Sequence, residues 1–320
     1  MAPNLQLGRR VKLRDLHYFL AVVQTGSMAK AANLLSVSQP VVSKVIANLE
    51  YLIGQPLLDR SPRGVEPTIY GQRLLASSFV IFDELRQGIA EVGQLRGETV
   101  GELSVGSNEA STLGIVPAAI GQVQADHPRL SIQVVLVNTP EEQHHELRHR
   151  TVELCIGRVE TYAPDADFET EILFQERYVV VSGPNSRWSR RSSVDLSELV
   201  HERWVLPPSR YLSGRQVMEI FRRRNLPAPV GHVRTPSIQL VQRLLEQDRF
   251  LALLPTTVLP AMAPYAVSAI LPVPLPDLVL PMGIVTLRGR KLGPAAKAFI
   301  AAARGVARSI QEAGAELPGA

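Results

Sequence analysis

Two groups of residues in this 320-residue chain have types and spacings that suit chemistry. In His145-Glu146-Leu147-Arg148-His149, two histidines one helical turn apart would ligate zinc and the glutamate between them would act as general base; Glu169 stands at a spacing that would supply a third ligand. Gln39, Ser43 and Lys44 form the second group: a carboxamide can pair with adenine through two hydrogen bonds, a hydroxyl can reach a base or a phosphate, and an ammonium can reach guanine or phosphate. The first group points to a zinc metallopeptidase, the second to nucleic-acid recognition.

The surroundings separate them. Gln143, His144, Arg148 and Arg150 place polar and cationic groups around the histidine pair, where a zinc-binding helix is apolar, and the helix is expected to end near His149. The segment reads as a solvated surface helix. There is no Gly-rich phosphate loop, no strand-turn-helix nucleophile elbow and no Ser-His-Asp order, so the expectation is a protein that is not an enzyme, with no catalytic residue, metal or cofactor.

The second group sits in a pattern of elements that would position it. Leu13, Leu16, Leu20 and Val23 recur at helical spacing and Gly26 stops that helix. Ser27 is placed to cap a second helix through Ala31, Ala32 and Leu35, and Ser38 to cap a third, whose first turn tolerates Pro40. Val42, Val45, Leu49 and Leu52 form the expected buried stripe of the third helix, which leaves Gln39, Ser43 and Lys44 on another face near its start. That is the reading end of a helix-turn-helix. Pro56 to Thr68, with Arg60, Pro62, Arg63 and Gly64, suits a hairpin with a basic tip, and arginines there favour a narrow minor groove.

Charge is distributed to match. Between Met1 and Leu75 nine Lys and Arg face four Asp and Glu, although the whole chain carries a formal +4. A basic end on a nearly neutral body is what phosphate binding requires. Cys155 is the single cysteine, which excludes an intramolecular disulfide and fits a reducing cytoplasm; its apolar strand makes it a small buried hydrophobe. Met1 to Leu13 lacks an apolar signal core, so no export is expected, and the apolar stretch from Phe250 to Val285 is broken by prolines that rule out a membrane helix.

The run from Leu16 to Leu75 resembles the DNA-binding domain of the LysR-type transcriptional regulators. Phe19, Gly26-Ser27, Ala31-Ala32, Leu35, Ser38-Gln39-Pro40, Val42-Ser43, Leu49-Glu50, Gly54, Leu57-Leu58, Arg60, Thr68 and Gly71 sit where that family's pattern places them. Met28 and Lys44 depart from it, standing where phenylalanine and arginine are usual. The resemblance implies a winged helix-turn-helix at residues 11–70 that binds double-stranded promoter DNA through Ser27, Ser38, Gln39, Pro40, Ser43, Lys44, Arg60 and Arg63.

From Gly71 to Arg96 no proline occurs, and Leu75, Phe82 and Ile89 recur at heptad spacing with Ser78, Leu85 and Val92. A helix of that length reaches roughly 40 Å and needs a partner for its stripe. The resemblance identifies residues 71–96 as the linker helix that dimerises such proteins, with Leu75, Phe82, Leu85, Ile89 and Val92 at the seam, giving a homodimer or homotetramer. A hinge at 97–100 follows. Beyond it, short apolar runs at Leu103 to Gly106, Ile132 to Val137, Leu154 to Gly157, Tyr178 to Ser182, Trp204 to Leu206, Phe250 to Leu254 and Leu278 to Leu287 alternate with helix-like stretches, an α/β pattern.

By resemblance this is a periplasmic-binding-protein-like effector domain at 101–310, with lobe I at about 101–171 and 277–310 and lobe II at about 172–276, and a tail at 311–320. The resemblance places a small-molecule effector near Ser107, Asn108, Glu109, Ser111, Thr139, Pro208, Ser209 and Ser237. Ser107, Thr139 and Ser237 read equally as helix caps. Glu109 would repel an anion and accept from hydroxyls, which suits a sugar-like ligand. RNA polymerase is a further partner of such a regulator, and a bacterial cytoplasm, at the nucleoid when DNA is bound, is its expected location.

Overall fold

A computed structural model describes residues 10–62, 64–94, 101–160, 165–263, 269–276 and 278–314. The chain divides into two compact units, one ending at Ile89 and the other beginning at Ala90.

The first unit opens with three helices, α1 (Leu13–Thr25), α2 (Met28–Leu34) and α3 (Gln39–Ile53), then a hairpin of β1 (Leu58–Ser61) and β2 (Gly64–Pro67) and the long helix α4 (Ile69–Gln94), which crosses into the second unit. Gly26 ends α1 in the left-handed conformation at φ 62°, where a side chain would be strained. The core gathers Leu16, Phe19, Leu20 and Val22 of α1, Ala31 and Ala32 of α2, and Val42, Ile46 and Leu49 of α3. The small alanines let α2 approach its neighbours closely. Leu13, expected on the buried face, is 45% exposed, because the packed stripe is drawn instead through Phe19 and Val22. On α3, Ile46 joins the stripe in full while Val45 and Leu52 are half-buried at its margin.

The second unit is built on one nine-stranded mixed sheet, ordered β4-β3-β5-β11-β6-β9-β7-β8, with β10 beside β6. Its elements run β3 (Gly101–Ser107), α5 (Glu109–Leu113), α6 (Ile115–Asp126), β4 (Leu130–Leu136), α7 (Pro140–Arg148), β5 (Leu154–Arg158), β6 (Phe168–Ser182), β7 (Arg203–Leu206), α8 (Leu212–Arg223), β8 (Gly231–Arg234), α9 (Ile238–Leu245), β9 (Phe250–Pro255), α10 (Leu259–Met262), β10 (Ala269–Ile270), β11 (Val279–Leu287) and α11 (Pro294–Gly314). The parallel strands β4, β3 and β5 and the antiparallel β11 form one lobe. The second lobe is β9, β7 and β8, with β9 antiparallel to β6. Each lobe has its own core, around Leu103, Ile156 and Phe299 in the first and around Trp204, Val217 and Phe221 in the second.

Strand β6 belongs to both lobes. It pairs with β11 from Phe168 to Arg177 and with β9 from Tyr178 onward, so it runs unbroken through the boundary expected at 171/172 and changes partner at Tyr178. A short helix precedes the longer one between β3 and β4. Asn108 Oδ1 accepts from the Ser111 N–H at 2.9 Å and from its hydroxyl at 3.1 Å, which starts a separate turn, α5, ahead of a break at Gly114. The hinge at 97–100 lies outside the described residues; of the tail expected at 311–320, residues 311–314 continue α11 and the rest lie outside the described residues.

Candidate nucleic-acid interface and ligand cleft

In the first unit the start of α3 is free of the core. Val42, Ile46 and Leu49 are fully buried beneath it, while Gln39, Pro40 and Lys44 are exposed and Ser43 is half-buried. Ser38 occupies the N-cap position, but its side chain makes no capping hydrogen bond and is exposed. Ser27 does cap: its hydroxyl accepts from the Lys30 N–H at 3.5 Å. The hairpin joins Ser61 to Gly64 across two residues and carries the exposed Arg60 on β1; Arg63 lies outside the described residues.

Three contacts fix the hairpin against the helices. One carboxylate oxygen of Glu50 accepts from the N–H groups of Leu57 and Leu58, at 2.8 and 3.2 Å, which ties the end of α3 to the base of β1. The Val65 N–H donates to the Gly26 carbonyl at 2.9 Å. Thr68 Oγ1 donates to the Pro56 carbonyl at 2.7 Å and accepts from the Gly71 N–H at 3.1 Å. At Gly71 the backbone passes so close that a Cβ would lie 2.0 Å from the Leu57 carbonyl oxygen. These contacts tie the third helix and the wing into one body that carries the exposed Lys44 and Arg60.

On α4, Leu85, Ile89 and Val92 are 44%, 65% and 58% exposed and lie on one face at spacings of four and three. Leu75, expected at the same seam, is buried in the core of its own unit, and Phe82 packs partly against that core with its ring against His17. Residues at the near end of the stripe are spent on the helical domain, and the far end is exposed.

The second unit holds a cleft between its lobes, partly open to solvent. Of the expected effector residues, Asn108 and Glu109 line it. The others do not. Ser107 is fully buried with its hydroxyl on the Asn108 carbonyl, and Ser111 is held by Asn108. Thr139 caps α7, in a reciprocal box with Glu142, and Ser237 caps α9 by accepting from the Leu240 N–H at 3.3 Å. Pro207 lines the cleft in place of Pro208, and Ser209 is exposed outside it. Around Ser237 it is Thr235, Pro236 and Ile238 that face the space. The Thr139 and Ser237 hydroxyls are consumed by helix starts, and the residues beside them line the wall.

Sequence reasoning missed the polar floor. Arg158, at the end of β5, stands 3.4 Å from Glu176 of β6, with Arg158 13% and Glu176 1% exposed. Thr257 donates to the other oxygen of Glu176, and the Arg158 guanidinium lies 5.3 Å from the centre of the Tyr178 ring. Burial raises the Glu176 carboxyl above its ordinary range, and Arg158 and then Thr257 pull it back. Burial also pushes the Tyr178 phenol upward, keeping its proton. Arg158 Nε and the Tyr178 hydroxyl have no hydrogen-bond partner among the described residues. A signal was present: a cation that ends the apolar run Leu154 to Gly157. Across the cleft, Glu109 Oε1 accepts from the Ile238 N–H at the start of α9 at 2.8 Å, joining the two lobes.

The zinc reading gains no support from the geometry. Helix α7 ends at Arg148, His149 is its C-cap and its Nδ1 lies 2.8 Å from the His145 carbonyl, and Glu146 bonds to Thr151. Among the described residues no group of three His, Cys, Asp or Glu is placed to hold a metal. Cys155 is buried at 1% exposure, and desolvation, reinforced by Glu146, pushes its thiol up to about 12, which removes thiolate reactivity.

A helix-turn-helix with a wing, joined in one chain to a two-lobed ligand-binding unit, defines an effector-responsive DNA-binding regulator. Family models agree: the bacterial regulatory helix-turn-helix protein of the lysR family matches residues 13–72 and the LysR substrate binding domain matches residues 96–308. The chain belongs to the LysR family of transcriptional regulators.

It is 27% identical over 318 residues to the regulator GbpR of Azospirillum brasilense, covering 98% of this chain and 92% of that protein. To PcaQ of Agrobacterium fabrum it is 29% identical over 279 residues, 86% of this chain and 88% of the relative. Among solved structures, full-length OxyR of Pseudomonas aeruginosa superposes with a TM-score of 0.67 at 21% identity, covering 93% and 95% of the two chains. CbnR in complex with its target DNA gives 0.64 at 22%, covering 92% and 100%. These structures share the fold.

Proposed function

We propose that the first unit reads promoter DNA by inserting the start of α3 into the major groove. Gln39 and Ser43 meet base edges, Lys44 meets guanine or phosphate, and Ser27, Ser38 and Pro40 lie along the flanking backbone. Arg60 and Arg63 of the wing grip the neighbouring strand and minor groove. The observation that carries this reading is the exposed polar start of α3 above a fully buried Val42, Ile46 and Leu49 stripe. Retardation of duplexes from the chain's own upstream intergenic DNA tests it. Salt-sensitive binding that is lost in Ser43→Ala or Arg60→Ala is expected, and binding indifferent to both substitutions overturns it.

The reading extends to assembly and control. The exposed stripe Leu85, Ile89 and Val92 on α4 pairs with a second copy of the chain, and two reading heads then meet two half-sites, as a dimer or a tetramer of two such pairs. A small molecule in the cleft binds one lobe arrangement more tightly than another, and that difference in affinity is what shifts the DNA-bound assembly and its contact with RNA polymerase. The chain works as a regulator and not as a hydrolase, in the bacterial cytoplasm at the nucleoid. No helix among the described residues is long and apolar enough to cross a membrane.

A further inference from the structure

The cleft's polar atoms say what kind of molecule it takes. Tyr178 is 5% exposed, yet its hydroxyl has no hydrogen-bond partner among the described residues, and neither has Arg158 Nε. Leaving two buried polar groups unsatisfied is costly, so an acceptor oxygen belongs between them. Charge limits what carries that oxygen. Glu109 and Arg158 are the charged groups on the lining, and Glu176 already neutralises Arg158 from behind. Glu109 is then the formal charge left facing the cleft, and the start of α9, to which it bonds, offsets part of it. An anionic ligand would meet a like charge in a partly desolvated space. A neutral ligand with hydroxyls meets donors and acceptors it can satisfy, because Glu109 uses one oxygen on Ile238 and the Gln143 carboxamide also lines the wall. Leu206 and Leu253 add an apolar face for the C–H side of a ring.

Building on the effector-cleft reading above, we propose that the ligand is a small neutral polyhydroxylated molecule of the sugar class: one of its oxygens accepts from Arg158 Nε–H and the Tyr178 hydroxyl, and a neighbouring hydroxyl donates to Glu109. Arg158 and Tyr178 anchor it, and Glu109 sets its charge.

The test uses the full chain labelled with 15N-arginine, in which the Arg158 Nε–H resonance is assigned by its loss in Arg158→Lys. It is titrated at constant ionic strength with glycerol and glycerate, and with the aldopentoses and aldohexoses of both series, each against its aldonate. The expected result is that a neutral member moves the resonance at least tenfold more effectively than the matching acid, and that Tyr178→Phe weakens its binding roughly threefold to tenfold, the loss of one neutral hydrogen bond. The inference is overturned if an aldonate or glycerate binds as well as its neutral partner, or if every neutral probe leaves the resonance unmoved. Retardation of upstream DNA by the same preparation keeps the two readings apart. DNA bound while the probes fail sinks the ligand class alone, and no DNA bound sinks the regulator reading.

Discussion

Replacing Arg158 by methionine leaves the Glu176 carboxylate, 1% exposed, with Thr257 for a partner. Two unit charges 3.4 Å apart attract by about 5 kcal/mol at an effective dielectric of about 20. Desolvating both ions consumes much of that attraction, so the intact pair is close to neutral for stability, whereas one buried ion without the other costs about 3–5 kcal/mol. Melting temperatures of units near this size move by roughly 2–4 °C per kcal/mol. The expected shift in Arg158→Met is therefore a fall of about 6–20 °C in the transition of the second unit, with the first unit's transition unchanged. The double variant Arg158→Met/Glu176→Met removes both charges and recovers most of the loss. Differential scanning calorimetry of the three proteins measures it, assigning transitions by comparison with a variant of the first unit such as Glu50→Ala. A single variant as stable as the wild type, or a double variant no better than the single, would refute the argument that Glu176 depends on Arg158.

The remaining predictions concern other parts of the chain. Glu50→Ala removes the acceptor shared by the Leu57 and Leu58 N–H groups and is expected to destabilise the first unit by about 1.5–3 kcal/mol and weaken DNA retention through a loosened wing, read from denaturant curves and gel retardation. Gly71→Ala places a Cβ against the Leu57 carbonyl and is expected to cost at least about 1–3 kcal/mol in the same unit, where a melting curve unchanged from wild type would contradict the close approach. His144, stacked on Phe168, has its pKa held below the ordinary 6.5, with burial as the main cause. The unfolded chain then binds this proton more readily, so stability is full above 6.5 and falls as pH drops through 6.5 toward the lower folded value. His144→Gln is expected to flatten the fall in melting temperature between about pH 7 and pH 5, and an identical slope would dismiss the effect. Leu85→Glu and Ile89→Glu charge the exposed stripe of α4 and are expected to shift sedimentation toward monomer.

The helical domain was legible because its rules are local. Gly26, the alanines of α2 and the spacing of Val42 and Leu49 each constrain a single turn or face, and together they imply that Gln39 and Lys44 face outward. What escaped is non-local. Glu50 gained its role from a wing seven and eight residues on, and Leu75 moved from the seam to the core because the helical domain needed one more apolar group. In the cleft, serines and threonines at strand ends suggested ligand contacts, but Thr139 and Ser237 satisfy helix donors that would otherwise be orphaned. Arg158, Glu176 and Tyr178 come from strands β5 and β6, which flank β11 and meet the loops at Asn108 and Ile238 only in the assembled sheet. The lobe boundary was misplaced for the same reason: a strand that changes partner partway leaves no mark in composition.

The most direct test of the whole account is equilibrium binding of the full chain to its upstream intergenic duplex across a salt series, with Gln39→Ala and Lys44→Ala beside the wild type. The account predicts that wild-type affinity falls steeply with salt. Gln39→Ala should lose about 1–3 kcal/mol on the specific duplex while binding scrambled DNA as before. Lys44→Ala should reduce the salt slope by about one if it contacts a phosphate, or lose specificity at one guanine if it reads a base. Equal affinity of all three proteins for specific and scrambled duplexes, with one common slope, would contradict it.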